Sequence, residues 1–523
     1  MTRWFLPFAI FLSASASLAV ELAIVRLGAP YVGQSLFPWS VAIASVLLGL
    51  TIGHMLGGIV AGGTTDIRRL KLRLGLVWFA AALSASAMPG GVSFVVQTLA
   101  NGQELGNGVV LALAALAFPP SLAAGFVAPL AVRIVVLTPQ AWLSHTVGAI
   151  YAASASGSVV GTAMAGFVLL ETVGAAGLIG FVCAIWVALG TFVLPWRELL
   201  AVRTASGIVV IAGVVVIVSL LAMPVPCLWE SRYTCIRLLD RPLADGGLLR
   251  FMILDEGVHS ASDRDHPERL HLGYAALADR LARVALSESA ERRALVVGGG
   301  GATLPRAWAA SKMSPAADVI SIELDPVVVA VANDKMWAGG EGRLTTLIGD
   351  GRAVVRGLPE AETYDVILMD AYRTRSVPPH LVTREFDALI AARLSANGVY
   401  LSNVIDRTAT PSLALSIATT LSEVFPVVDI WVAGGEQGAT TNYVVAAWKS
   451  HRSAYRPDTE SVAASVMNAG EAVQSQIVVW RRVDVAAAAR VWPDACAVAL
   501  TDDWAPVDRL IAGRRVCERP IIR

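Results

Sequence analysis

The residues that could do chemistry in this chain lie at the ends of four short apolar runs in its C-terminal half. The first run ends in Gly298, Gly299, Gly300 and Gly301, and the next three end in Glu323, Asp350 and Asp370. Consecutive glycines permit a tight turn and a close approach of the backbone to a ligand. An acid roughly 20 residues after such a turn can accept hydrogen bonds from both ribose hydroxyls. The spacing therefore predicts a nucleotide or nucleoside site.

These residues need a sheet to bring them together, and apolar runs that alternate with helical patterns predict one. Two later runs, 427–433 and 442–448, have the pattern of a closing antiparallel pair, and 235–239 and 248–255 that of a hairpin. The alternation indicates parallel strands with helical crossovers, whose ligands bind along the carboxyl edge. We expect strands at 294–298, 318–324, 344–349, 364–370 and 398–404, and helices at 303–312, 326–334, 384–395 and 411–424.

The glycine run fits an S-adenosyl ligand better than a dinucleotide. In the dinucleotide pattern read from Gly298, Thr303 stands where the last glycine belongs. The Gly-Asp-Gly segment at 349–351 and the apolar run before Asp370 favour a class I methyltransferase-like sheet, with an S-adenosyl sulfonium across the same edge. Each acid alone is also compatible with a turn or a helix N-cap, and it is their joint arrangement that indicates a site. The ligand-binding candidates are Gly298–Gly301, Glu323, Asp325, Asp350 and Gly351.

Apolar segments dominate the first 225 residues. The chain is 55% hydrophobic and 16% charged, with a mean hydropathy of +0.62, whereas a soluble chain carries about 25% charged residues. A helix of about 20 apolar residues matches the hydrocarbon core of a bilayer. We therefore predict a multi-pass helical bundle in the inner (cell) membrane. Its seven expected spans are 4–25, 39–61, 74–96, 108–137, 142–170, 174–195 and 205–225.

Particular residues in these spans suggest how the helices pack. Small residues recur at helical spacing, which lets helices approach closely. Proline interrupts the fourth span at 119–120. Arg26, at the end of the first span, either serves a function or reaches the membrane interface. The small-residue stripes are Gly49, Gly53 and Gly57 in the second span, and Gly157, Gly161 and Ala165 in the fifth.

The loop charges predict the orientation of the bundle. The 66–73 loop holds four basic residues and one acid, so it should be cytoplasmic. With seven spans, the amino terminus lies inside and the C-terminal domain outside. The cysteine pairs Cys227/Cys235 and Cys496/Cys517 follow the last span, so two exported disulfides and four reduced thiols both remain open. The side of the domain therefore stays open, although charges and cysteines favour the non-cytoplasmic side.

Composition also limits the partners and the domain plan. The formal net charge is +0, so we expect no nucleic-acid partner. There is no Cys-x-x-Cys, so we expect no metal. We divide the chain into a transmembrane domain at 1–225, a small β-rich region at 226–285 and an α/β domain at 286–523. The fold class is an α-helical transmembrane bundle followed by an α/β domain with a Rossmann-like class I methyltransferase sheet.

Several segments of both halves resemble the spermidine synthase, or polyamine aminopropyltransferase, family. The whole chain is similar to members that are fused to a transmembrane region. In the membrane half the resemblance rests on 29–35, 47–58, 118–120 and 128–133. In the soluble half it rests on Gly301-Ala-Thr-Leu-Pro-Arg306, Pro378-Pro-His-Leu-Val-Thr-Arg-Glu385 and Thr501-Asp-Asp503.

The resemblance implies a role for each acid. Glu323 matches the acid that holds the ribose hydroxyls, Asp350 the acid that contacts the adenine amino group, and Asp370 the catalytic acid that deprotonates and orients the attacking amine. The implied donor is S-adenosylmethionine or its decarboxylated form, and the acceptor is a small amine or another molecule. The bilayer is a further expected partner, and a homodimer is left open.

Four positions depart from the pattern of the family. Gly301 replaces the aspartate that grips the ammonium of the donor, and His259 replaces a glutamine. Arg269 replaces a tyrosine, and Arg373 replaces the second acid of an Asp-x-x-Asp pair. A dication such as putrescine would be repelled by these arginines at close range. We hypothesise that Arg373 instead pairs with a carboxylate of intact S-adenosylmethionine or of an anionic acceptor.

Three functions follow from these observations. The first is a membrane-tethered aminopropyltransferase, which the retained acids favour and the lost acids oppose. The second is an S-adenosylmethionine-dependent methyltransferase that acts on another acceptor. The third is a transporter or sensor with a domain that binds an adenosyl ligand, although binding alone would not need Asp370. His259, Arg269 and Arg373 are the candidates for acceptor binding.

Overall fold

A computed structural model describes residues 5–33, 36–99, 107–138, 143–194, 227–310, 317–372, 376–434, 438–451, 454–466 and 474–513. It divides into two compact units, Met1–Arg237 and Leu238–Arg523. Each unit has its own hydrophobic core.

The described part of the first unit is helical until residue 194. Five of its segments are long and apolar enough to cross a membrane: Phe5–Val32, Phe37–Gly62, Ile67–Leu99, Gly108–Leu137 and His145–Val193. The helices are α1 (Phe5–Val32), α2 (Leu36–Gly62), α3 (Ile67–Ser86), α4 (Met88–Leu99), α5 (Asn107–Ala115), α6 (Phe118–Gly125), α7 (Val127–Leu137), α8 (Leu143–Met164) and α9 (Leu170–Val193), with a π-helical turn at Ala165–Leu169.

The predicted spans fall on these segments. The fourth span is broken where it was expected, because α6 begins at Phe118 with prolines in its first turn. The segment His145–Val193 has 49 residues, about twice the length that one crossing needs. Gly174 interrupts it with a φ of 69°, so it covers both the fifth and the sixth predicted spans. The seventh, 205–225, lies outside the described residues.

The small-residue stripes let helix backbones touch. A Cβ atom on Gly53 would lie 2.2 Å from the carbonyl oxygen of Leu122 on α6. A Cβ atom on Gly157 would lie 2.3 Å from the carbonyl oxygen of Phe11 on α1. No larger residue fits either position without moving a helix. The prediction of close packing at these stripes is confirmed.

Two disulfide bonds involve cysteines that follow the helices. One joins Cys227 to Cys235. Cys496 is also disulfide-bonded, and its predicted partner Cys517 lies outside the described residues. We refer to residues 227–237, which contain the first bond and end the first unit, as the juxtamembrane segment.

The juxtamembrane segment makes ionic contacts with the ends of two helices. Arg26 of α1 is only 4% exposed, and its Nε lies 3.6 Å from Oε1 of Glu230. The other carboxylate oxygen of Glu230 accepts a 2.9 Å hydrogen bond from the amide of Ala175, near the start of α9. Arg232 pairs with Glu171 of α9 at 2.8 Å. Arg26 is therefore buried inside the first unit, where an acid distant in sequence lies against its guanidinium.

The second unit is built on a nine-stranded sheet in the order β12-β13-β10-β11-β9-β8-β5-β6-β7. A smaller sheet precedes it in the order β1-β2-β3-β4. The strands are β1 (Trp229–Glu230), β2 (Cys235–Pro242), β3 (Leu248–Leu254), β4 (Gly257–Asp263), β5 (Arg293–Val297), β6 (Asp318–Glu323), β7 (Leu344–Ile348), β8 (Tyr364–Met369), β9 (Leu394–Arg407), β10 (Val427–Ala433), β11 (Thr440–Trp448), β12 (Thr459–Val466) and β13 (Gln474–Asp484).

Strands β5 to β9 pair in parallel and the remaining strands of the large sheet pair antiparallel. This confirms the predicted fold class, including the closing pair β10 and β11. The strands β12 and β13 were not predicted, and they extend the sheet by a second antiparallel pair beyond β10.

Helices pack on both faces of the large sheet. The side chains of α10 and α11 share one core cluster, and those of α13, α14 and α15 share another. The helices are α10 (Gly273–Glu288), α11 (Thr303–Ala309), α12 (Pro326–Lys335), α13 (Gly351–Gly357), α14 (Arg384–Arg393), α15 (Ser412–Ser422), α16 (Val485–Val491) and α17 (Val507–Ile511), with 3₁₀ turns at Ala338–Gly340 and Pro379–Leu381.

Candidate functional site at the carboxyl edge of the sheet

The glycine run forms the turn between β5 and α11. Gly298 has a φ of 95° and Gly300 a φ of 51°, the left-handed region that favours glycine. A Cβ atom on Gly298 would lie 2.5 Å from the amide nitrogen of Ala371, which follows β8. The turn therefore brings the backbones that follow β5 and β8 into direct contact.

Every amide of this glycine turn already has an acceptor within the protein. The hydroxyl of Ser260 on β4 and the carboxylate of Glu323 supply two of these acceptors, so side chains hold the turn in place. The amides of Gly298 and Gly299 donate to the carbonyl of Ile322, at 2.9 and 3.0 Å, that of Gly300 to Oε2 of Glu323 at 2.8 Å, and that of Gly301 to Oγ of Ser260 at 2.8 Å.

Glu323 is the last residue of β6. Burial raises the pKa of its carboxyl group, although hydrogen bonds from the amides of Gly300 and Asp325 act in the opposite direction. Asp325 itself caps α12, because its side chain accepts a 2.9 Å hydrogen bond from the amide of Val327. Both carboxylate oxygens of Glu323 also accept backbone hydrogen bonds, at 2.8 Å from Gly300 and at 3.1 Å from Asp325. The ligand-binding roles of Glu323 and Asp325 stay predictions.

Exposed apolar side chains flank this acid. Leu324 directly follows Glu323 and is 46% exposed, and Ile348 on the neighbouring strand β7 is 56% exposed. The register pairs Ile348 with Glu323. Large aliphatic side chains left in water beside a carboxylate are what the faces of a heteroaromatic ring would cover.

Asp350 follows β7 and caps α13. Its Oδ1 accepts a 2.9 Å hydrogen bond from the amide of Ala353, and its Oδ2 lies 2.8 Å from Nε2 of His380. Partial burial opposes ionisation, but hydrogen bonds from the amides of Ala353 and Arg352, together with the hydrogen bond and charge of His380, lower the pKa of Asp350. A Cβ atom on Gly351 would lie 2.5 Å from a methyl carbon of Val297 at the end of β5.

Two distant segments support the loop around Asp350. Arg352 forms a two-pronged ion pair with Asp502, with N–O distances of 2.6 and 2.7 Å. Thr383 donates to the same carboxylate at 2.7 Å, and the amide of Asp502 donates to Glu385 at 2.9 Å. The sequence segments 378–385 and 501–503, whose resemblance to the family was noted above, therefore meet beside the Gly-Asp-Gly turn.

Asp370 directly follows β8 and is held by two neutral groups. Its Oδ2 accepts a 3.0 Å hydrogen bond from the hydroxyl of Tyr274 on α10. Its Oδ1 accepts a 2.7 Å hydrogen bond from the amide group of Asn403 on β9. Burial raises the pKa of Asp370 to about 7, and these two hydrogen bonds only partly oppose the shift. An acid with this pKa can exchange a proton near neutral pH.

Residues 277–451 match the spermine/spermidine synthase domain family. The C-terminal region of the chain carries a spermine/spermidine synthase domain. The match begins inside α10 and ends after β11, so it contains the glycine turn and all three acids at the carboxyl edge.

Two curated relatives and one solved structure are similar to parts of the chain. The polyamine aminopropyltransferase of Vibrio vulnificus (strain CMCP6) is 34% identical over 113 residues, which cover 21% of this chain and 37% of that protein. The probable polyamine aminopropyl transferase of Bifidobacterium longum (strain NCC 2705) is 27% identical over 243 residues, which cover 44% and 51%. The chain thus spans about half or less of the length of these relatives.

The structure is that of a probable spermidine synthase from Corynebacterium glutamicum ATCC 13032. It aligns with a TM-score of 0.41 and 18% identity, over 53% of this chain and 96% of that chain.

Two of the positions that depart from the family pattern, His259 and Arg269, precede the matched residues 277–451. Nδ1 of His259 lies 2.9 Å from the carbonyl of Gly257, and burial lowers the pKa of its imidazole. Arg269 pairs with Asp245 and lies 3.8 Å from Asp263, so two acids already neutralise its charge. Arg373 lies outside the described residues. The acceptor-binding roles of these three side chains stay predictions.

Four residues that were not predicted also contact the site, two of them within the matched residues 277–451 and two before them. Tyr274 and Asn403 contact Asp370, His380 contacts Asp350, and Ser260 contacts the glycine turn. His380 lies within the 378–385 segment that the resemblance had singled out, and that was its one signal. Among the described residues, no group of three or more His, Cys, Asp or Glu side chains is arranged to hold a metal ion.

Proposed function

We propose that this protein is a membrane-embedded aminopropyltransferase that uses decarboxylated S-adenosylmethionine as donor and an amine as acceptor. The observation that carries the proposal is the state of Asp370. It is a buried carboxyl group with a pKa near 7, held by neutral donors, on the sheet edge that also presents the glycine turn, Glu323 and Asp350. The synthase domain match and the two aminopropyltransferase relatives support the same reaction.

In the proposed reaction the amine nitrogen attacks the propyl carbon attached to the sulfonium. The C–N bond forms while the C–S bond breaks, and its electron pair neutralises the sulfur to give methylthioadenosine. The sulfonium is a good leaving group, so the protein must mainly supply a neutral nucleophile in the correct direction. A free amine has a pKa of about 10.4 and arrives protonated. Ionised Asp370 accepts that proton.

The remaining edge residues fit the nucleoside part of the donor. Glu323 would accept hydrogen bonds from the ribose hydroxyls, and Asp350 would accept one from the adenine amino group. The exposed aliphatic side chain of Leu324 follows Glu323, and that of Ile348 ends the neighbouring strand β7 just before Asp350. Both would pack on the adenine ring.

The choice of the decarboxylated donor rests on the glycine turn. Intact S-adenosylmethionine carries a carboxylate, which needs hydrogen-bond donors wherever it is buried. The amides of Gly298–Gly301 all donate to protein acceptors and would have to give up those bonds. The decarboxylated donor makes no such demand. The alternative hypothesis is methyl transfer from intact S-adenosylmethionine, whose carboxylate would pair with Arg373.

The reaction products distinguish aminopropyl transfer from methyl transfer. Purified full-length protein in detergent micelles would be incubated with each donor and a panel of polyamines. Methylthioadenosine formed only from the decarboxylated donor supports aminopropyl transfer. S-adenosylhomocysteine formed from the intact donor would replace it with methyl transfer. Tight binding of either donor without any product would favour a sensor or transporter.

We further propose that the juxtamembrane segment, and the domain that continues from it, lie on the non-cytoplasmic side. Within the first unit, Glu230 and Arg232 contact the carboxyl end of α1 and the start of α9. The basic loop at 66–73 follows α2, one crossing later, and so lies at the opposite end. The disulfide between Cys227 and Cys235 agrees with an oxidising compartment.

A reporter fused to the carboxyl terminus tests this orientation. Alkaline phosphatase folds actively only outside the cytoplasm and green fluorescent protein fluoresces only when it folds inside. We expect phosphatase activity and no fluorescence. The reverse result would place the domain in the cytoplasm and require an even number of crossings.

A further inference from the structure

A chain of two asparagine side chains leads from the interior of the sheet to Asp370. Asn403 on β9 is 2% exposed, and its Nδ2 donates to Oδ1 of Asp370 at 2.7 Å. The Oδ1 of Asn403 accepts a 2.8 Å hydrogen bond from Nδ2 of Asn442 on the neighbouring strand β11. Both amides therefore point their donor ends toward the carboxylate.

Resting on the proposed function, we propose that Asn403 and Asn442 are positioning residues that keep Asp370 ready to accept the proton of the amine. Each side-chain amide has one donor end and one acceptor end. An ionised carboxylate only accepts, so Asn403 must present its NH₂ group to Asp370. The side-chain oxygen of Asn403 then faces β11. Because this oxygen is an acceptor, the group opposite it must be a hydrogen-bond donor, and Asn442 supplies that donor. Asn442 thus selects the orientation of Asn403 that suits ionised Asp370.

The backbone of Asn403 is held separately from its amide. The hydroxyl of Tyr372 donates to the carbonyl of Asn403 at 2.6 Å and accepts a hydrogen bond from the amide of Ile405 at 2.8 Å. Tyr372 therefore fixes where the β9 backbone lies, while Asn442 fixes which end of the Asn403 side chain faces the acid. This separation provides a matched control.

The titratable groups that face Asp370 do not compete with this arrangement. In the described parts of the chain they are Tyr274 on α10 and Tyr372 on the loop after β8. Burial raises the pKa of both phenols well above the ordinary range, so both stay neutral through physiological pH. The protonation of Asp370 is then governed by burial and by the donors of Tyr274 and Asn403.

The decisive test is the pH dependence of Asp370 in three variants. Asn403→Ala removes one donor, and Asn442→Asp replaces the selecting donor with an acceptor of the same size, which turns the Asn403 oxygen toward Asp370. We expect both changes to move the acid limb of kcat/KM to higher pH, by about one to two pKa units. Tyr372→Phe should lower stability and leave the limb in place.

Infrared difference titration separates this proposal from the proposed function. The protonated carboxyl band lost in Asp370→Asn identifies Asp370 without any turnover. Shifted midpoints in Asn403→Ala and Asn442→Asp support the positioning role even if no donor is ever turned over, in which case only the proposed function fails. An unshifted midpoint in Asn442→Asp, or an equal shift in Tyr372→Phe, overturns the positioning role.

Discussion

The two units of this protein each bury an acid, and they treat it in opposite ways. In the helical unit, Glu230 lies against the buried guanidinium of Arg26 and accepts a hydrogen bond from the amide of Ala175, just after the break in α9 at Gly174. In the α/β unit, Asp370 has neutral partners, Tyr274 and Asn403, and no cation within ion-pair distance among the described residues. A buried ion pair stabilises the fold, because removing either side chain leaves the other charge buried without a partner. An unmatched acid keeps a proton that can move near pH 7.

The largest effect is expected from removing Asp370, the acid that has no charged partner. We expect Asp370→Asn to lower kcat by about 10² to 10⁴-fold, the usual contribution of a positioned proton acceptor. The control is Asp387→Asn on α14, another buried acid, whose burial holds its pKa well above the ordinary range. That variant should retain activity because asparagine imitates the neutral acid. Equal losses in both variants would show that activity responds to core damage and not to the Asp370 proton.

Removing either member of the Arg26–Glu230 pair should lower the free energy of unfolding. We expect Arg26→Ala or Glu230→Ala to cost about 3–5 kcal/mol, because each leaves a buried charge without its partner. Unfolding of the full chain in micelles measures the loss. The double variant should cost less than the sum of the two single variants, and an additive result would mean that the two charges do not interact.

Removing Asp370 should have the opposite effect on stability. Its pKa is raised in the folded state, so the folded protein binds the proton more tightly and stability falls as pH rises from about 4 to about 7. Asp370→Asn avoids that penalty. We expect the variant to be more stable than the wild type at pH 8, with a smaller difference at pH 5. A variant that is less stable at pH 8 would mean that the carboxylate contributes to the fold.

The smallest effect is expected at the exposed ion pair. Arg232 is 45% and Glu171 31% exposed in their side chains, and solvated pairs contribute about 0–1 kcal/mol. Arg232→Ala should therefore change stability far less than Arg26→Ala, although both arginines contact the same juxtamembrane region. Equal effects would show that the juxtamembrane segment binds the helices as one unit.

The sequence predicted what depends on local pattern. Alternating apolar runs placed β5 to β11, and the acids at their ends identified the carboxyl edge, because strand direction alone brings Glu323, Asp350 and Asp370 to one side. Pro119 and Pro120 marked a true helix break.

The sequence did not predict contacts that depend on pairing distant segments. Tyr274 reaches Asp370 across 96 positions, and Asn403 reaches it across 33. Asn442 meets Asn403 only because β11 lies antiparallel beside β9. Arg26 was expected at an interface or in a functional role, and its acid partner stands beyond the last predicted span. No local periodicity encodes any of these neighbours.

The separation between Arg26 and Glu230 also sets an order for biosynthesis. Arg26 lies in α1, and its partner is translated 230 − 26 = 204 residues later. At about 5–20 residues per second, the guanidinium waits roughly 10–40 s for its counter-charge. The helical unit is therefore incomplete until residues 227–237 have been translated. In a truncated product that lacks these residues, Arg26 would have no counter-charge, and a quality-control protease could recognise the defect.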